Sequence, residues 1–283
     1  MDLDTEIRRI AERALAEDVG PGDVTSNAII SPATHLTGTF LVKAAGVVAG
    51  LGVVGQVFAL VDDAISYTPL VSEGTPVAVG DVVARVDGYG PGILVAERVA
   101  LNFLQRMSGI ASLTREYVEA VRGTRARILD TRKTAPGLRT LDKMAVALGG
   151  GMNHRIGLYD MVLIKDNHIE AAGGIREAVR RVRAQVHGLA IEVEVESLAQ
   201  FDEALSLGVD RIMLDNMSLD LMREAVRRGN GRVEIEASGG ITLDTVAAVA
   251  ATGVDLISVG DLTHSVKALD ISLDIKLQSG ESA

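Results

Sequence analysis

Two hydrophobic rhythms divide this chain near residue 110. Before that point, apolar positions at helical spacing (Ile7, Ile10, Leu15) predict an amphipathic helix over 5–17. Short β-branched runs predict strands over 36–43, 65–69 and 77–86, and helical segments fall at 46–59 and 96–107. The stretch 71–88, VSEGTPVAVGDVVARVDG, has the glycine spacing and alternation of a small β-hairpin. It lacks the central modifiable lysine of a biotinyl or lipoyl carrier, so it reads as a structural hairpin. From about residue 125 a unit repeats: a short apolar run, a polar loop, then a helix-period segment. The runs are 126–129, 161–165, 191–195, 211–214, 233–237 and 256–259, and helices are expected over 174–186, 198–207, 220–228 and 243–252.

Near-continuous apolar strands alternating with amphipathic helices imply parallel strands covered by helices. No G-x-G-x-x-G follows a strand, so a dinucleotide fold has no support. Polar residues stand at the C-terminal end of nearly every run, where α/β barrels carry their chemistry. Six barrel strands can be placed, and no seventh or eighth.

Composition narrows the function. The 283 residues suffice for two modest domains. There is no cysteine, which excludes disulfides, thiolate metal sites and cysteine nucleophiles. A net charge of −10 argues against a general nucleic-acid binder. The N-terminal stretch is acidic and amphipathic rather than a signal peptide, and no apolar window is long enough to span a membrane. A cytoplasmic protein is expected.

Against that acidic background, Arg132, Lys133, His154, Arg155 and Lys165 gather as candidate cations on neighbouring strand ends. Arginine pairs planar carboxylates and lysine suits phosphate, so the cluster points to a ligand carrying both. Glu192, Glu194 and Glu196 alternate along one strand and point to one face. With Asp215 on the next strand, Glu194 is a candidate for Mg²⁺ and ribose hydroxyls; pairing with the nearby cations explains the same pattern. Ser238-Gly239-Gly240 opens a helix after one strand and Gly260 ends the next, the usual barrel phosphate site. Phe58–Asp63 superficially matches an acidic diphosphate motif, but the loop that should follow is absent, and it reads as a helix end.

The strand-end motifs DTRKT (130–134), GGGMNHR (149–155), LIKDNH (163–168), EVEVES (192–197), LDN (214–216), SGG (238–240) and GDLTHS (260–265) resemble quinolinate phosphoribosyltransferase in order and spacing. So do EDVGPGDVTS (17–26) and AERVALNFLQRMSGIAS (96–112), and the resemblance runs from about residue 17 to 272. It implies an α/β fold with an N-terminal α/β sandwich (1–110, joined by the tail 269–283) and an incomplete, about seven-stranded parallel barrel (111–268). It further implies a homodimer in which Arg98 comes from the partner subunit, a role that AERVALN alone does not reveal. The implied substrates are quinolinate and 5-phosphoribosyl 1-diphosphate with Mg²⁺, and the products nicotinate mononucleotide, CO₂ and pyrophosphate, for NAD biosynthesis.

By the resemblance, Arg98, Arg132, His154, Arg155 and Lys165 would grip the quinolinate carboxylates. Lys133 and Lys165 would neutralise pyrophosphate, while Glu194 and Asp215 would face the ribose or metal. Ser238, Gly239, Gly240, Gly260 and His264 would hold the 5′-phosphate. The rival readings are a paralogue of the same fold using another substrate (nicotinate, or the molybdate-operon type) and a non-catalytic barrel that binds an anionic metabolite. Retention of the whole cation set favours the dicarboxylate.

Overall fold

The computed structural model describes residues 2–277. They form two units, 2–113 with 135–150 and 266–277, and 114–134 with 151–265.

The first unit opens with α1 (Leu3–Val19), which buries Ile7, Ile10, Ala11 and Leu15 and carries Asp4 and Glu6 in its first turn, where they complement the helix dipole. Next is α2 (Val24–Ile29), capped by Asp23, whose Oδ1 accepts the N–H groups of Thr25 and Ser26 at 2.9 and 3.0 Å. β1 (His35–Val42), β2 (Gly46–Val47), α3 (Leu51–Val61), β3 (Ser66–Pro69), β4 (Pro76–Val77) and β5 (Val82–Tyr89) follow, then the long α4 (Gly90–Ala120). Two expected elements are shorter than their apolar runs. The helix expected over 46–59 starts only at Leu51, because 46–47 pair with β4 instead. The strand expected over 77–86 breaks where Asp81 accepts the Ala78 N–H at 2.8 Å and turns the chain.

A four-stranded antiparallel sheet runs β12-β1-β5-β3, with β12 being Ile271–Leu277. Its core holds Phe40, Phe58 and Tyr67, with ring centroids 5.9–6.2 Å apart. The segment 135–150 departs from the boundary drawn at residue 110. It carries α5 (Arg139–Leu148) and belongs to the first unit, where Arg106 of α4 pairs with Asp142 of α5. Of the tail expected to join this unit, 278–283 lies outside the described residues.

In the second unit the six expected runs form β6 (Arg127–Leu129), β7 (Val162–Ile164), β8 (Ile191–Val195), β9 (Arg211–Asp215), β10 (Glu234–Ser238) and β11 (Leu256–Ser258). All are parallel, in the order β6-β11-β10-β9-β8-β7. The first strand thus pairs with the last, as in a sheet curling into a barrel. Among the described residues, an isolated parallel bridge between Leu129 and Met152 is the trace of a seventh strand. Between the strands lie α6 (Asp166–Ala172), α7 (Ile175–Gln185), α8 (Leu198–Ser206), α9 (Leu219–Gly229) and α10 (Leu243–Ala250), and α11 (Asp261–His264) follows β11. Parallel pairing puts every strand's C-terminal end at the same rim.

Candidate active site

At that rim a cavity of about 670 Å³ opens, lined by all twelve second-unit residues singled out from the sequence. Arg98 is not among them: it lies exposed on α4, in the first unit. The lining residues are fixed by the loops that follow each strand. After β6, the Lys133 carbonyl accepts the Thr263 hydroxyl at 2.8 Å. After β7, His168 Nδ1 accepts the Lys165 N–H at 3.0 Å, which gives the histidine of KDNH a turn-forming role. Lys165 Nζ lies 2.5 Å from Glu194 Oε2. Asp215, the last residue of β9, accepts the Asn216 side-chain amide at 2.8 Å.

Burial, and then the positive charge of Arg132, pull the Arg155 guanidinium below its ordinary value. Two guanidiniums close enough to repel are stabilised by an anion between them.

His154 departs from the expectation of a cation. Its Nδ1 accepts the Arg155 N–H at 2.7 Å, so the ring proton sits on Nε2 and the imidazole is neutral. Nε2 points to Glu192 (3.0 Å) and Glu236 (3.5 Å), both fully buried. The three alternating glutamates therefore part company. Glu192 lies beneath the cavity, Glu194 lines it, and Glu196, past the strand end, is exposed. Glu236, which sequence reasoning missed, sits in VEIEA with the same alternation as IEVEV, and that pattern was the available signal.

Arg211 meets Glu236 at 3.3 Å and Glu234 at 2.7 Å, while Arg127 meets Glu234 at 2.7 Å. Burial of both carboxylates, and the repulsion of Glu236 by Glu192, favour holding a proton within the pair. The three ligand atoms of His154, Glu192 and Glu236 lie within 4.8 Å of one another, a spacing that would also suit a metal. A divalent ion there would face the Arg211 guanidinium.

This carries a pH prediction. Burial pushes Glu192 up to about 7 and Glu236 up to about 8, from an ordinary 4.5. Between those limits the folded chain holds more protons than the unfolded chain, so stability falls as pH rises through the window and levels off above it. Glu236→Gln keeps the shape without the titration. Its Tm is expected to fall several degrees less than wild type from about pH 5 to about pH 8. Parallel Tm profiles would show that the pair holds no proton.

The last two strands build an anion cradle. Gly239 has φ of +97°, and a side chain there would put Cβ 2.2 Å from Asn216 Oδ1, so only glycine fits the turn after β10. Thr242 caps α10, whose N-terminus follows that turn. A Cβ on Gly260 would approach His264 at 3.0 Å and the Lys133 stem at 3.2 Å. Asn216, Thr242, Ser258 and Asp261 also line the cavity and were not singled out beforehand. As single polar residues at strand ends and in the turns after them, they carry no periodic signal.

The profile described as quinolinate phosphoribosyl transferase, C-terminal domain, matches residues 110–274, and that of the N-terminal domain matches 23–108. A Nicotiana tabacum protein named quinolinate phosphoribosyltransferase [decarboxylating] 2a, mitochondrial, is 45% identical over 290 residues, covering 95% of this chain and 82% of the relative. A Bacillus subtilis protein named probable nicotinate-nucleotide pyrophosphorylase [carboxylating] is 42% identical, covering 97% of this chain and 95% of the relative. The crystal structure of NadC from Streptococcus pyogenes superposes with a TM-score of 0.94 at 42% identity, covering 97% of this chain and 98% of that one.

Proposed function

The chain belongs to the quinolinate phosphoribosyltransferase family, and on that premise we propose that its rim cavity converts quinolinate and 5-phosphoribosyl 1-diphosphate to nicotinate mononucleotide, CO₂ and pyrophosphate. The observation that carries the reading is one cavity holding guanidiniums, lysines, carboxylates and a glycine-built anion cradle together. Arg132 and Arg155 take the quinolinate carboxylates in bidentate fashion, with Lys165 beside them and Arg98 of the partner subunit completing the set. His154, neutral and turned toward the acids below, forms the floor. Ser238, Gly239, Gly240 and Gly260 receive the 5′-phosphate, with His264 at the edge.

So held, the ring nitrogen attacks the anomeric carbon, and the diphosphate leaves with the bonding pair. Lys133 and Lys165 meet the departing charge, and Glu194 and Asp215 stabilise the cationic ribosyl centre. The C2–carboxylate bond then breaks. Its electron pair stays at C2, facing the positive ring nitrogen, until a proton replaces CO₂. The Glu194 and Asp215 oxygens are hard donors that fit Mg²⁺, although Lys165 already engages one Glu194 oxygen. When bound, the ion neutralises diphosphate charge.

The functional particle in this reading is a cytoplasmic homodimer. Among the described residues no helix is long and apolar enough to cross a membrane.

The test is an assay with quinolinate or nicotinate, 5-phosphoribosyl 1-diphosphate and Mg²⁺, on wild type and Arg132→Ala. Turnover of quinolinate alone is expected, with at least about a 30-fold loss in the variant. Turnover of nicotinate, or of neither substrate, would overturn the reading.

A further inference from the structure

We infer that Asp130 is a positioning residue for quinolinate binding, acting through the main chain that carries His154 and Arg155. Asp130 directly follows β6 and is fully buried, and it is not among the residues that line the cavity. Around it, two segments start a parallel ladder. Met152 N–H donates to the Ile128 carbonyl at 2.8 Å, and Asp130 N–H donates to the Met152 carbonyl at 3.1 Å.

The next rung of a parallel ladder would run from His154 N–H to the Asp130 carbonyl. Instead His154 N–H donates to the Asp130 side chain, Oδ1, at 2.8 Å. The carboxylate thus stands in for a backbone acceptor just where the two segments diverge. One further bond follows, from Arg155 N–H to His154 Nδ1 at 2.7 Å. Two consecutive amides are thereby fixed, and with them the origin of the Arg155 side chain. The same residue leads directly into Thr131, Arg132 and Lys133. One buried carboxylate therefore sets the spacing between the two arginines that face the dicarboxylate. A shift of about 1 Å in such a pair can cost on the order of a hundredfold.

This inference rests on the assignment of Arg155 to a quinolinate carboxylate, so the experiment includes that residue. Asp130→Leu removes the acceptor at similar volume, Asp130→Asn keeps an acceptor oxygen, and Arg155→Ala tests the assignment itself. KM is measured for each substrate separately. Asp130→Leu is expected to raise the quinolinate KM by about 100-fold and leave that for 5-phosphoribosyl 1-diphosphate within about 3-fold. Asp130→Asn is expected to stay within about 3-fold of wild type for both. Should Asp130→Leu not fold, Asp130→Ser takes its place, being too short to reach the His154 amide.

Equal changes in both KM values would mark a merely structural residue and overturn the inference. So would an Asn variant as impaired as Leu, since charge rather than acceptance would then be at work. If Arg155→Ala raises the quinolinate KM and Asp130→Leu does not, Asp130 alone is misassigned. If Arg155→Ala leaves it unchanged, the reading of Arg155 falls first.

Discussion

Replacing Lys165 with methionine is expected to lower kcat/KM by about a thousandfold, more than the loss of any other single cation in the cavity. Its Nζ sits 2.5 Å from Glu194 Oε2, and the Glu194 side chain is 11% exposed. Removing the lysine therefore does two things. It withdraws a positive charge from two anionic substrates, and it leaves a half-sequestered carboxylate facing the diphosphate. Truncating one partner of such a pair costs about 2–5 kcal/mol, much of it from the stranded charge. The second variant separates these contributions. In Lys165→Met/Glu194→Gln the stranded charge is gone, so the double variant should lose less than the product of the two single losses, by about tenfold. A Lys165→Met enzyme within about tenfold of wild type, or a strictly additive cycle, would show that the pair does not act as a unit.

The charge logic of this site was largely legible in the sequence, because strand ends in a parallel barrel share one rim whatever the details of packing. Knowing that Arg132, Lys165 and Asp215 stand at or just past the ends of their runs, and Glu194 near the end of its own, was enough to gather them. What the sequence left hidden depends on hydrogen-bond direction rather than on residue type. His154 looks like a cation until its Nδ1 is seen to accept the Arg155 amide. Glu192 and Glu194 look equivalent until one is found beneath the cavity and the other on its wall. Asp130 looks like one more polar strand end until its carboxylate is found on the His154 N–H.

In the first unit the period signals misjudged element ends for a similar reason. Gly46–Val47 is as apolar as the start of a helix, but its backbone is taken by β4. The helix α5 was overlooked because RTLDKMAVAL opens with polar residues, and its inward face includes Asp142 and Lys143, both buried. A buried charge breaks the apolar stripe on which periodicity depends.

That buried charge sets the second large effect. Asp142 is fully buried, and the Arg106 side chain is 27% exposed. Arg106 binds it in a fork, Nε to Oδ1 at 2.9 Å and Nη2 to Oδ2 at 2.8 Å, and Oδ2 also accepts the Ala135 N–H at 3.1 Å. Arg106→Met keeps most of the stem packing and removes the guanidinium, leaving a carboxylate in the interior without its counter-ion. Breaking a buried pair from one side costs about 3–5 kcal/mol, whereas replacing both partners by apolar groups is often close to neutral. Arg106→Met is therefore expected to be the most destabilising change of those considered, and Arg106→Met/Asp142→Leu should recover at least about 1.5 kcal/mol of it. Recovery should stop short of wild type, because the Ala135 amide still lacks its acceptor. Urea unfolding of the three proteins would measure this. A single variant within about 1 kcal/mol of wild type would mean that the fork contributes orientation rather than stability.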